Sequence, residues 1–202
     1  MFAMVNATIY APGQWEAGQA QREEFWALLA AQPGMHGALR LDAGASRFLN
    51  LLVWEQQAQW AASRPVVEAA GARLTIPLFA TPLQQLGAGE VVRNTITPGA
   101  TPGFARLGES TYALDRLAAG QAQVDEFWAI RAALPGFLGT IEVDAGAGRS
   151  LALSLWASAA QQQAAAPTLA PAVERLLAPL LAAPQRVLGL GAVVYDSLTT
   201  RV

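Results

Sequence analysis

QAQREEFWALLAAQPGMHGALRLDAGASRFLNLLVWE occupies residues 19–55, and QAQVDEFWAIRAALPGFLGTIEVDAGAGRSLALSLWA occupies residues 121–157. Glu24 falls on Glu126, an offset of 102 residues (126 − 24) that never slips. On either side of this stretch, Phe2 falls on Phe104, Tyr10 on Tyr112, Pro82 on Pro184, and Gly87/Gly89 on Gly189/Gly191. Laid 2–100 on 104–202 without gaps, the two stretches share 43 of 99 positions. Such self-similarity identifies two copies of one unit, and two copies are too few for a solenoid. The chain therefore reads as residues 1–97, a Pro- and Gly-rich linker at 98–103, and residues 104–202, paired as an intrachain pseudo-dimer.

The order of elements within a copy follows from local pattern. Residues 3–10 alternate as a strand, with Val5, Ala7 and Ile9 on one face. Residues 17–31 carry Phe25, Leu28 and Leu29 on a helical stripe with Trp26 beside it, and Pro33-Gly34 ends the helix. Gly37–Leu41 and Arg47–Trp54 read as strands about the turn Asp42-Ala43-Gly44-Ala45. Gln56–Ser63 restarts a helix that Pro65 should interrupt, Val66–Ala72 resumes it, and 74–86 should be broken helix or loop. Glu90–Ile96 supplies the last strand, repeated as Ala192–Leu198, and Gly87-Ala88-Gly89 reads as a turn before it. This β-α-β-β-α-β order is the ferredoxin-like unit, an α+β sheet with helices on one face only. Leu49, Leu51 and Val53 make the opposite face uniformly apolar, and Leu151, Leu153 and Leu155 repeat it, so the two sheets should cover each other as an α+β barrel.

Composition narrows the chemistry. The chain has 13 basic and 15 acidic residues, no cysteine and one histidine, and every basic residue is arginine. Disulfides, thiolate nucleophiles, lysine Schiff bases, Walker-type lysines and multi-histidine metal sites are thereby excluded. A net charge of −2 without a basic run argues against nucleic acid as a partner. No apolar run reaches the length of a membrane span, and the opening residues show no signal-peptide pattern, so the expected location is cytoplasmic.

On the third strand, Phe48, Asn50, Leu52 and Trp54 share the face that looks toward the helices. The first and third strands of a ferredoxin-like sheet are central neighbours, which brings Asn6 and Thr8 near Asn50 and Trp54. An asparagine amide and an indole N–H are neutral donors able to hold a phenolate or peroxide oxygen. With Trp54 closing the third strand and WEQQAQW opening the second helix, the chain resembles the antibiotic-biosynthesis-monooxygenase family of dimeric α+β barrels. That resemblance implies a cofactor-independent monooxygenase, in which a deprotonated aromatic or polyphenolic substrate itself reduces dioxygen. It implies catalytic roles for Asn50 and Trp54, whose spacing matches the Asn and Trp of quinone-forming members. The other class compatible with this fold is a non-catalytic small-molecule-binding or structural relative.

Candidate substrate contacts are Asn6, Tyr10, Trp26 and Phe48, with Arg73 at a pocket lip and Trp156 as the second copy's counterpart of Trp54. Haem-degrading relatives combine an Asn on the first strand, a Trp closing the third and an axial His on the second helix. Asn6 and Trp54 fit, but neither 56–70 nor 161–172 contains histidine, and His36 reads as a turn residue, so neither haem nor a metal is expected. Asp42/Arg47 and Asp144/Arg149 read as charge pairs stabilising the two hairpin turns. The second copy replaces Asn6, Phe48, Asn50 and Leu52 by Gly108, Ser150, Ala152 and Ser154. Its cleft, lined by Ser110, Ser150, Ala152 and Trp156, should be the wider one. The expected ligand is a small aromatic molecule, and self-association beyond the pseudo-dimer is left open.

Overall fold

A computed structural model describes residues 1–200, so the last two residues of the second copy lie outside the description. The first copy runs β1 (Phe2–Ile9), α1 (Gln14–Ala17), α2 (Gln19–Ala30), β2 (Met35–Asp42), β3 (Arg47–Trp54), α3 (Gln57–Leu74) and β4 (Gln84–Asn94). The second runs β5 (Phe104–Tyr112), α4 (Leu114–Ala119), α5 (Gln121–Ala132), β6 (Phe137–Asp144), β7 (Arg149–Trp156), α6 (Ala159–Ala164), α7 (Ala166–Ala172) and β8 (Leu181–Asp196). Each copy arranges its strands in the ferredoxin order, β4-β1-β3-β2 and β8-β5-β7-β6. The two sheets then join at both edges, β4 to β6 and β8 to β2, all antiparallel, into one closed eight-stranded barrel. Closure leaves no unpaired sheet edge among the described residues.

The inward side of the barrel is the larger core. Val5, Leu39, Leu49, Leu51 and Val53 meet Leu107, Ile141, Leu151, Leu153 and Leu155, all at most 3% exposed. The strand faces expected to cover each other do so. Truncating any one of these leucines to alanine belongs to the class of change that costs about 2 to 5 kcal/mol.

One expected break is absent. α3 runs unbroken through Pro65, because Pro65 lies on the exposed side, where the carbonyl it cannot bond is open to water. The buried stripe Ser63, Val67, Ala70, Gly71 and Leu74 continues across it. In the second copy the corresponding stretch does break into α6, α7 and a π turn at Val173–Leu177, with Pro167 and Pro171 four residues apart. The last strands also begin earlier than expected, at Gln84 and Leu181.

Gly87 and Gly89 are not a turn; they lie within β4, and Gly189 and Gly191 lie within β8. A Cβ on Gly89 would strike the Asp144 carbonyl of β6, and one on Gly191 the Asp42 carbonyl of β2. The hairpin arginines serve the same seam. Arg47 Nη1 donates to the Leu188 carbonyl at 2.8 Å, and Arg149 Nη2 donates to the Leu86 carbonyl. The aspartates instead accept from the turn backbone, Asp42 from Gly44 N–H and Asp144 from Gly146 N–H, each at 2.8 Å. The expected Asp–Arg turn pairs are thus replaced by an Asx turn plus an arginine tie to the opposite copy.

We expect Gly89→Ala or Gly191→Ala to cost about 3 kcal/mol or more in urea denaturation, since the obstacle is backbone and cannot move aside. Gly44→Ala, with open space around its Cβ and φ of +82°, should cost only about 1 to 2 kcal/mol. Equal costs would count against the seam.

Candidate functional site

The outer face of each sheet is roofed by its own helices. Over the first copy, β1 and β3 bring Asn6 and Asn50 directly opposite one another, and β2 sets Arg40 opposite Asn50. Asn50 Nδ2 donates to Asn6 Oδ1 at 2.9 Å, while Arg40 Nε donates to Asn50 Oδ1 at 2.5 Å. Arg40 Nη1 donates to the Tyr10 hydroxyl at 3.0 Å. Asn6, Asn50 and Arg40 form the floor of a cleft of about 510 Å³ under α2 and α3, with Tyr10 behind it. Thr8 also lines the floor, with its hydroxyl buried and without a partner. Trp26, Trp60 and Val67 form the apolar roof and walls.

Arg40 governs the electrostatics here. It is 4% exposed, yet no carboxylate among the described residues forms an ion pair with it. Its charge is held by two side-chain acceptors and by aromatic faces, with Trp26 at 4.9 Å and Trp15, Phe48 and Tyr10 between 5.5 and 5.7 Å. Burial lowers its pKa, opposed by attraction to Tyr10 and reinforced by repulsion from Arg22. A buried cation without an anion gives the floor a standing affinity for negative charge.

The sequence-derived candidates divide into three groups. Asn6, Asn50 and Trp26 line the cleft. Tyr10 and Phe48 sit behind it in an aromatic cluster with Trp15 and Phe79, where they encase Arg40; Phe48 stacks on Trp15 at 3.9 Å. Trp54 and Trp156 are 0% exposed and line neither cleft; each has a buried indole N–H without a partner. Trp54 packs instead on Trp60, at 4.7 Å, and Trp60 reaches the cleft. Arg73 is a correction: it is a surface residue, paired with Glu24 at 2.7 Å, just as Arg175 pairs with Glu126. It borders no part of this cleft. His36 is likewise absent from the lining.

Sequence reading missed Arg40 and Tyr195. Arg40 falls within the strand read at Gly37–Leu41, and no local pattern there singles it out. Tyr195 arrives from β8, in the opposite copy, and stacks on Trp26 at 4.4 Å. Its counterpart Arg93, from β4, lies over Trp128 at 5.3 Å. Each roof tryptophan is therefore capped by the other copy's last strand.

The second cleft, about 420 Å³, is smaller rather than wider. Gly108, Ser110 and Ala152 line it, but Ser150 and Trp156 do not; Arg106, Arg131 and Leu177 are also on its lining.

No protein-family model matches the sequence, and no curated protein does. Solved structures match across the chain. A candidate monooxygenase from Fusobacterium nucleatum subsp. nucleatum superposes with a TM-score of 0.74 at 7% identity, covering 100% of this chain and 95% of the other. An anthrone oxidase-like protein gives 0.63 at 14%, covering 100% and 94%. An uncharacterised ferredoxin-fold protein from Listeria monocytogenes, related to antibiotic biosynthesis monooxygenases, gives 0.55 at 11%, covering 95% and 94%. The fold is that of antibiotic-biosynthesis-monooxygenase-like proteins, in a tandem arrangement.

Asn50→Ala copies Ala152, but not its surroundings, because the residue opposite Ala152 is Glu142 where Asn50 faces Arg40. We expect it to destabilise the fold by about 1 to 3 kcal/mol in thermal or urea unfolding, the cost of stripping an acceptor from a buried guanidinium. Asn50→Asp, which gives Arg40 a carboxylate, should retain wild-type stability or exceed it.

Proposed function

We propose that the first cleft carries out a cofactor-independent oxygenation of an aromatic carbon acid or phenol. The observation that carries this reading is Arg40, a buried cation without a carboxylate at the floor of an aromatic-walled cleft. The field of Arg40 lowers the pKa of an acidic substrate bound on that floor, so that the proton leaves to water and the substrate remains as an enolate or phenolate. In this reading the amide N–H groups of Asn6 and Asn50 hold that oxygen. The electron-rich anion then transfers an electron to dioxygen, the radical pair joins as a peroxide anion that takes a proton back from water, and loss of water from the resulting hydroperoxide leaves a carbonyl. For a substrate methylene the step balances as follows: both hydrogens leave with one oxygen atom of dioxygen as water, and the other oxygen atom stays on the carbon as the carbonyl. Trp26, Trp60 and Val67 exclude bulk water and stack on the ring. Trp54 acts in this scheme by supporting Trp60.

A purely binding role is the second reading, and one observation favours it. The only carboxylate on the cleft lining is Glu68, which is exposed and paired with Arg64 at 2.7 Å, so no buried general base among the described residues faces the ligand. Oxygen consumption separates the two readings. With anthrones and hydroquinones as substrates, uptake above the uncatalysed rate is expected. Arg40→Met should lower kcat by on the order of 10²- to 10³-fold, as loss of an oxyanion-stabilising group does. The same variant should move the rising limb of the pH profile upward, since the substrate would ionise with less help. Binding of these compounds without any enzyme-dependent uptake would establish the binder instead.

A further inference from the structure

Three substitutions between the copies move charge rather than remove it. Where the first copy has Met4, Leu29 and Arg40, the second has Arg106, Arg131 and Glu142. Arg106, Arg131 and Glu142 all lie on the lining of the second cleft, together with exposed Glu174 and with Arg186, which pairs with Glu109 at 3.1 Å.

The carboxylate is already taken. Glu142 Oε1 accepts from the Ser150 hydroxyl at 2.7 Å, and Arg93 Nε approaches Oε2 at 3.5 Å, while Arg93 also pairs with Asp125 at 3.0 Å. The two arginines have no such partner. Neither Arg106 nor Arg131 forms an ion pair or a hydrogen bond among the described residues. Arg131 is 5% exposed and its Nε–H is buried without an acceptor. Four aromatic rings lie around its guanidinium, Trp128 at 5.3 Å and Phe137, Phe127 and Trp156 at 5.7 to 6.0 Å. Burial lowers its pKa, with a smaller lowering from Arg106, which lies on the same lining. Glu142 pulls the other way, by less.

The site is built for this arrangement. Gly108, which replaces Asn6, lies under the Arg106 guanidinium: a Cβ there would come within 3.2 Å of Arg106 Nη1. The loss of Asn6 and the gain of Arg106 are therefore one coupled change. A protein keeps two guanidinium groups without an ion-pair partner on one concave surface at a cost in stability. That cost is offset when an anion bridges them, and a planar carboxylate matches the guanidinium fork. The remaining walls, Phe127, Trp128, Leu169 and Val173, suit an apolar or aromatic body.

We propose that the second cleft is a binding site for a small aromatic carboxylate, held by Arg106 and Arg131 and distinct from the cleft of the first copy. It binds without turning its ligand over, because Gly108 and Ala152 supply none of the amides that line the first floor.

Isothermal titration calorimetry with phthalate and benzoate tests this, using benzamide and dimethyl phthalate as uncharged controls. One molecule of phthalate per chain is expected, bound more tightly than benzoate, and the uncharged analogues should bind at least tenfold more weakly. Arg131→Leu and Arg106→Met install the side chains native to the first copy, and each should weaken phthalate binding at least tenfold. Arg131→Leu should also raise the melting temperature without ligand, which a purely structural arginine would not do. Arg40→Met should leave phthalate affinity within twofold. The proposal is overturned if no carboxylate in the panel binds, if the uncharged analogues bind equally well, or if Arg40→Met abolishes binding while Arg106→Met does not. Should Arg131→Leu fail to fold, Arg106→Met and Arg131→Lys decide: the first weakening binding and the second retaining part of it supports the site, and unchanged affinity in the first refutes it.

Discussion

The two seams at which β4 meets β6 and β8 meets β2 hold the molecule in its shape, because every other feature assumes a closed barrel. A four-stranded ferredoxin-like sheet exposes one apolar face and two edges. Here each last strand crosses to the other copy, and backbone approaches backbone where Gly89 meets Asp144 and Gly191 meets Asp42. No side chain fits at that distance. Arg47 and Arg149 then tie each hairpin to the incoming strand. The apolar faces of both sheets are sealed inside as a consequence, and both helix-covered faces are turned outward.

The same seams shape the clefts. Because the last strands cross over, Tyr195 caps the roof of the first copy and Arg93 that of the second. The residues lining each cleft come from one copy, but a tryptophan on each lining is backed by the other copy. This explains why a duplicated unit remains a pair: separated copies would lose two strand pairings, a barrel core and the support behind Trp26 and Trp128.

Within that common frame the copies have diverged electrostatically. On the cleft lining, the outward positions of the sheet and the first long helix carry a neutral amide pair and one cation in the first copy, with Arg22 buried behind it. In the second they carry two cations and a paired carboxylate. The helices diverge as well, with α3 continuous and its counterpart broken near Pro167 and Pro171. The inward positions have changed far less, since Leu49, Leu51 and Val53 answer Leu151, Leu153 and Leu155. Packing restricts a filled interior to volume-conserving exchanges, whereas an outward cleft accepts new charges as long as each finds an acceptor, an aromatic face or a ligand.

The duplication, the order of elements and the meeting of the two apolar faces can all be read along the chain, since they rest on periodicity and on self-comparison. The placement of Asn6 beside Asn50 is legible too, because strand order and alternation are local rules. Contacts between distant segments belong to the fold alone. Gly87 and Gly89 look like a turn until the Asp144 backbone is seen against them, and Arg73 looks like a pocket lip until Glu24 is found beside it. No local pattern singles out Arg40 until Tyr10, Asn50 and four aromatic rings are seen to enclose it. Whether an arginine is a solvated surface charge or an unpaired cation at the floor of a cleft depends on what the rest of the chain packs around it, and only the folded molecule sets that environment.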